Sequence, residues 1–379
     1  GKFFDQWFRS PGYPALKVTF KYDDKHKQGT FEIEQTQVDR EKGIPAFALS
    51  TDLACTIDGV EHSVPLTLEE ARHVVTVPME ANPEQVRFDP RAWALHKLEF
   101  NPGDPLLRAQ LTGAKDVIGR IHAAHELAKT GKRANIQAIV DAYADEPFWG
   151  VREQFAQALA DADAEATVEG LARIVGLEQH PRILASVFQA AGKYRDARIR
   201  EAIVARLEGG FQPEQPAGLP YVATAAAYEA LGKQRGEAEW DLLAEGAGRD
   251  SFNGYAQSGA LRGLAETRRA EAIDLLMERV AYGATSNRAR PAAVTALAEI
   301  GKGQEKAARE QMVEKLVDLL RDPWDRVSRS AAIGLKTVKA PEAIGALQAY
   351  GRTLSHQEQV AVERLVKALR AEDKVDGSA

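Results

Sequence analysis

The sequence predicts a multi-domain chain, all-β and then all-α: a small β-sandwich followed by an α-solenoid of HEAT- or armadillo-like helical pairs. Three observations carry this. Apolar residues alternate with period two up to about Phe100, helical spacing replaces the alternation beyond it, and the helical segments resemble one another at intervals of about 32 to 38 residues. Period two places alternate side chains on opposite faces of a strand, and a recurring helical pair is the unit of a solenoid. A chain of 379 residues is also long for a single core.

Residues 1–14 form a junction segment in which Phe3, Phe4, Trp7 and Phe8 precede a Pro-Gly break. Four large rings are more apolar surface than a terminus normally carries, and Phe4, Trp7 and Phe8 are the candidates for a seam with another domain. A chain beginning at Gly-Lys is expected to be a trimmed piece of something longer.

The sandwich spans 15–100. Leu16, Val18, Phe20 and Tyr22 share one face of a first strand, and DDKHKQG turns into a second in which Phe31 and Ile33 alternate with Thr30, Glu32 and Glu34. Further strands are expected at IPAFALS from Ile44, LACTI, VEHSVPL, HVVTVPM and EQVRF. Asp58-Gly59 between two of them predicts a tight hairpin, because both central positions need positive φ. About seven short strands at regular turns read as a sandwich.

NPGDPLL supplies a linker at 101–110. From 111 to 370 the copies DVIGRIHAAHEL, FWGVREQFAQAL, NGYAQSGALRGL, SNRARPAAVTAL and WDRVSRSAAIGL recur, each followed by a second helical stretch. Their alanines allow close helix approach and their closing leucines, 127, 159, 264, 297 and 335, fill the shared core. Arg152, Arg288 and Arg326 stand early in their helices and are read as pairing with carboxylates or carbonyls of adjacent repeats. The tail 371–379 is expected to be disordered.

Composition excludes several functions. A net charge of −6 argues against a nucleic-acid surface, and no window approaches a membrane span. Cys55 is the only cysteine, which excludes an intrachain disulfide framework and Cys-rich zinc sites without distinguishing cytoplasm from periplasm, and its apolar strand reads as a buried structural thiol. HExxH, Walker A, GxGxxG, GxSxG and CxxC are all absent. His122 and His125, with Glu126 beside them, share one helix face, but the other repeats add no further ligand, so no catalytic, cofactor or metal residue is assigned. His62 and His73 read as solvated or hydrogen-bonded strand residues, and the carboxylates of 161–167 as helix caps. What remains is surface: Tyr221, Tyr255, Arg288, Arg290, Arg326 and Arg329 are candidates for holding a peptide on the concave side, Arg forks taking its carboxylate.

The order of these parts resembles the C-terminal region of the M1-family zinc aminopeptidases. Phe4, Trp7, Gly12, Pro14, Leu16 and Val18 follow the pattern F-x-x-W-x-x-x-x-G-x-P-x-L-x-V of the junction into that family's third domain. VRFDPRAWALHKLEF (86–100) is similar to the end of its sandwich, and DVIGRIHAAHEL and EPFWGVREQFAQAL to its HEAT-type C-terminal domain. The family's HExxH, downstream Glu, GxMEN and oxyanion Tyr have no counterpart, so no catalytic residue carries over. The resemblance implies a non-catalytic fragment, with zinc in a missing N-terminal catalytic domain that would be its partner. It also implies a role in enclosing the chamber for peptides with a free N-terminus, with NPGDP as a pivot. A self-standing interaction scaffold, or the end of a catalytically dead aminopeptidase-like scaffold, is the alternative.

Overall fold

The structure is a computed structural model that describes residues 1–162, 165–209, 219–237 and 239–376. It divides into two compact units, 1–170 and 171–379.

In the first unit, seven strands form two sheets: β1 (Ala15–Asp23), β2 (Gln28–Gln35), β3 (Leu49–Ile57), β4 (Val60–Leu68), β5 (Arg72–Pro78), β6 (Gln85–Phe88) and β7 (Lys97–Phe100). The orders are β5-β2-β1-β7 and β4-β3-β6, antiparallel throughout except where β7 runs parallel to β1. One apolar core draws on both sheets: Leu16, Val18, Phe31 and Ile33 from the first meet Leu53, Cys55, Val86 and Phe88 from the second. Lys17, Thr19 and Lys21 point outward, as the alternation requires. The Asp58-Gly59 hairpin forms with Ile57 opposite Val60 and φ of 49° and 74° at the two turn residues.

The expected strand at Ile44 is corrected. Residues 44–48 join no ladder beyond a single bridge from Ile44 to Asp39, and only the end of IPAFALS enters β3. Pro45 has no N–H to give, and two glutamine side chains take the backbone that a strand would have used. Buried Gln35 accepts from Phe47 N at 2.9 Å and donates to Phe47 O at 2.8 Å. Gln6 does the same for Ala48, at 2.7 and 2.9 Å. The seventh strand is β7 instead, whose four residues KLEF alternate weakly, with only Phe100 buried.

Helices follow at once. Over the segment expected to link the two regions, α1 (Asp104–Gly113) starts with Pro105 in its first turn, after Gly103 leaves the strand at φ 114°. Then come α2 (Val117–Lys129), α3 (Arg133–Asp145), α4 (Trp149–Ala160) and α5 (Glu165–Leu177). The carboxylate-rich 161–167 turn falls partly on 163 and 164, outside the described residues.

The second unit continues as helical pairs: α6 (Leu184–Ala191), α7 (Ala197–Gly209), α8 (Tyr221–Gln234), α9 (Glu239–Gly248), α10 (Tyr255–Thr267), α11 (Glu271–Arg279), α12 (Arg290–Gly301), α13 (Lys306–Leu319), α14 (Asp325–Thr337), α15 (Ile344–Gly351) and α16 (His356–Asp376). Of the expected tail, 371–376 continue α16 and 377–379 lie outside the described residues. The first helices of neighbouring pairs pack through small residues. A Cβ on Gly259 would sit inside the backbone of Ala225, and one on Gly232 inside that of Gly263, so α8 and α10 touch main chain to main chain. Leu264, Leu297 and Leu335 are fully buried beside them. Among the described residues, no helix is long and apolar enough to cross a membrane.

Candidate functional site

The opening segment is a helical turn (Lys2–Phe4) running into a wider one (Asp5–Arg9). It is held on the sheets by the Gln6 clamp and by Trp7, whose ring lies 5.5 Å from that of fully buried Phe47. Trp7 is thus partly buried by its own unit. Phe4 and Phe8 turn the other way and meet Phe3, with ring centroids 5.3 to 6.3 Å apart. The three are 62%, 56% and 73% exposed for Phe3, Phe4 and Phe8. Two of the three seam candidates therefore share an exposed apolar knuckle with Phe3, the fourth ring of the cluster, and Trp7 is its anchor.

The six candidates in the second unit separate. Tyr221, at the start of α8, stacks on exposed Phe252 at 6.2 Å, and Tyr255 opens α10. Arg288 and Arg326 are exposed and, among the described residues, have neither a hydrogen bond nor an ion pair, so the carboxylate or carbonyl pairing expected of them is not formed. Arg329 is engaged with Glu358 at 2.6 Å and Asp325 at 3.1 Å. Arg290 is a correction: it is fully buried, and no peptide reaches it. Its guanidinium donates to Asp322 at 2.5 Å and to the carbonyl of Val280 at 3.1 and 3.3 Å.

That arrangement recurs. In the first unit Arg120 forks onto Glu146 at 2.7 and 3.1 Å, and Arg87 onto Asp116 at 2.6 and 2.9 Å. Each acid also accepts a backbone N–H where the next helix begins: Asp116 from Gly119, Glu146 from Phe148 and Asp322 from Trp324. Asp116 thereby caps its own helix, Glu146 and Asp322 fix the turn leading into theirs, and each takes a cation from elsewhere in its unit, which fixes the register between them. The recurrence of Glu-Pro-Phe-Trp at 146 and Asp-Pro-Trp at 322 is the signal that could have revealed it. Arg152 donates to the carbonyl of Glu146 at 2.8 Å, a carbonyl contact as expected but in the turn leading into its own helix.

Several ionisable groups that the sequence singles out are committed to structure in the first unit. Burial pushes the Cys55 thiol up to about 12, so it holds its proton at neutral pH. Nε2 of His122 faces the carbonyl of Phe100 at 3.0 Å, and burial lowers its pKa. His125 reaches Gln154 at 3.4 Å, and Glu126 is paired with Lys129. His73 accepts the backbone N–H groups of Glu69 and Glu70 at 3.1 and 3.0 Å, capping a turn. Among the described residues, no three His, Cys, Asp or Glu side chains converge to hold a metal.

Against known proteins, the HEAT repeats family model matches residues 249–336, covering α10 to α14. Among solved structures, the chain is similar to Legionella pneumophila aminopeptidase A, crystallised in complex with aspartic acid. The TM-score is 0.51 at 12% identity, over 98% of this chain and 50% of that one. The likeness is one of fold, and the chain spans about half the length of the protein it matches. No curated protein sequence matches it.

Proposed function

We propose that this chain is the non-catalytic C-terminal portion of an M1-type zinc aminopeptidase, a β-sandwich and HEAT-like solenoid that enclose the substrate chamber. In that position they limit access to peptides with a free N-terminus. The observation that carries the reading is the alignment of nearly the whole chain, two-sheet region and helical pairs in one order, onto half of an aminopeptidase. The Phe3, Phe4 and Phe8 knuckle supports it, because an apolar surface held out by a built anchor suits a seam with the catalytic domain. Zinc, in this reading, belongs to that domain.

A second reading, a self-standing interaction scaffold, is favoured by the Tyr221–Phe252 stack and the unpaired cations Arg288 and Arg326. Peptide hydrolysis by this chain with added zinc is expected to be nil, and chelator-sensitive turnover would overturn the assignment. The coding sequence ahead of Gly1 separates the rest. HExxH and GxMEN there support the peptidase, the same fold without its zinc ligands supports a dead relative, and a start codon supports the scaffold.

A further inference from the structure

Each sheet of the sandwich ends in a strand with one free edge, and a free edge invites pairing with another chain unless something blocks it. Most of these edges are blocked. Strand β4 carries Glu61 and, in mid-strand, Pro65, which has no N–H to give. Strand β7 is four residues long with Lys97 and Glu99 exposed, and β6, equally short, turns Gln85 onto the carbonyl of Ala109 and Arg87 onto the carboxylate of Asp116. Strand β5 has none of these devices along its middle. It runs for seven residues as RHVVTVP, with proline only at its end. Its only Lys, Arg, Asp or Glu is Arg72, at the other end and paired with Glu34 at 2.9 Å.

The register of β5 on β2 decides which of its backbone groups are free. At the two ends of that ladder Met79 N donates to Lys27 O and Gln35 N to Ala71 O, both at 2.8 Å, so the odd-numbered residues of β5 bond to β2. The even-numbered ones, Arg72, Val74, Thr76 and Pro78, turn their backbone groups to the open side. Among the described residues, no other segment's backbone meets those of Val74 and Thr76. Val77 is buried in the core and Val75 packs against it, while Val74 stands 70% exposed on the outer face. An exposed valine gains little from the fold, and HVVTV is rich in the β-branched residues that pair well across strands.

We propose that β5 pairs antiparallel with β5 of a second copy of this chain, joining two four-stranded sheets across a two-fold axis. With Val75 on the axis, Val74 N–H donates to the Thr76 carbonyl of the second copy and Thr76 N–H to its Val74 carbonyl, and the axis repeats both. Arg72 N–H reaches the Pro78 carbonyl, so the missing proline N–H falls at the end of the ladder. The strand suits itself as a partner. Read in opposite directions, HVVTV sets Val75 against Val75, Val74 against Thr76 and His73 against Val77, mostly β-branched pairs that bring no like charges together. Both copies use the same edge, so the contact closes at a dimer.

Sedimentation velocity over a concentration series, with backbone amide exchange, tests this on the intact chain. The mass should rise to that of a dimer with concentration, and the amides of Val74 and Thr76 should exchange at least about tenfold more slowly in the dimer. Val74→Lys sets a charge on the edge at an exposed position, and it should weaken association at least about tenfold at an unchanged melting temperature. Val60→Lys, 56% exposed on β4, and Phe8→Ser, in the exposed knuckle, should leave the dimer intact. A monomer at the highest concentration that stays in solution would overturn the inference, whether or not an extended foreign peptide slows the Val74 and Thr76 amides. So would a dimer that survives Val74→Lys, one that dissolves with Phe8→Ser, or one in which those two amides exchange no more slowly.

Discussion

The two-sheet region and the helical pairs solve opposite packing problems. Between the sheets, spacing is set by ladders and the gap is filled with bulk, with Phe31, Phe47, Phe88 and Phe100 all nearly or fully buried. Between α8 and α10 there is no gap to fill, because glycine and alanine let main chains touch. The first arrangement tolerates small losses of volume by relaxing around them. The second tolerates no added atom, and between α12 and the turn before α14 a buried ion pair, Arg290 with Asp322, adds a fixed register. In the helical pairs, then, single polar or glycine positions should dominate stability, whereas in the sheet region buried polar groups such as Gln35, Arg87 and Asp89 each hold a particular piece of backbone or a neighbouring helix.

The largest effect should come from Asp322→Ala. It leaves the fully buried Arg290 charge without its carboxylate, and breaking such a pair costs about 3–5 kcal/mol. Chemical denaturation reads this directly. Asp322→Leu combined with Arg290→Met should recover most of it, since a well-packed apolar pair often replaces a buried ion pair at no loss. A loss under about 1 kcal/mol for the single variant would remove the buried pair from the comparison. Gly259→Ala comes next, at about 3 kcal/mol, the upper end of overpacking costs, because its methyl meets backbone that cannot swing aside. The same change at exposed Gly345, with open space around it, is the control and should be neutral or slightly stabilising.

Much of this division was legible. Alternation gave β1, β2 and the Asp58-Gly59 hairpin, and the repeated leucines gave the helical pairs, because both are periodic consequences of burying one face. What was hidden is aperiodic. Gln35 and Gln6 look like ordinary polar residues, yet each replaces a rung of backbone pairing, which is why a strand was expected at Ile44. Arg290 was read as surface because Arg is rarely buried without a partner, and its partner lies 32 residues away at Asp322. The Phe88-Asp89-Pro90 motif was noticed only as a resemblance, while its carboxylate organises the whole turn to His96.

The glutamine clamp gives the third test. Gln35→Ala would strip Phe47 N and O of their partners inside the sheets, at about 2 kcal/mol. Gln35→Glu should cost at least as much, because a carboxylate cannot donate to the Phe47 carbonyl. Equal stability of Gln35→Ala and the parent would mean that 44–48 is held by its side chains alone.

A smaller effect should appear with pH at the start of the helices. His122 has a folded pKa below its ordinary 6.5, chiefly through burial, with Arg87 and Lys129 in the same direction and Glu126 and the Phe100 carbonyl opposing. The unfolded chain therefore binds a proton that the folded one refuses. Its contribution to stability is full above pH 6.5 and falls as pH drops from there through the folded value. His122→Gln should flatten that part of the pH–stability curve, and an unaltered slope would exclude His122 as its source.

The smallest effects separate the anchor of the opening segment from the surface it presents. Trp7→Ala removes packing against Phe47 and should cost about 1 kcal/mol of first-unit stability, well short of a full core deletion because Trp7 is only partly buried. Phe8→Ser, at a ring 73% exposed, should change stability by no more than about 0.5 kcal/mol. If the knuckle is a seam, Phe8→Ser should nevertheless weaken association with a separately expressed catalytic domain, while Gln6→Ala should weaken it indirectly by loosening the turn that presents the ring. Measured binding that follows Phe8 but not stability identifies a surface made for a partner. Stability that falls with Phe8 as much as with Trp7 would place the ring in the fold's own core and end the seam reading.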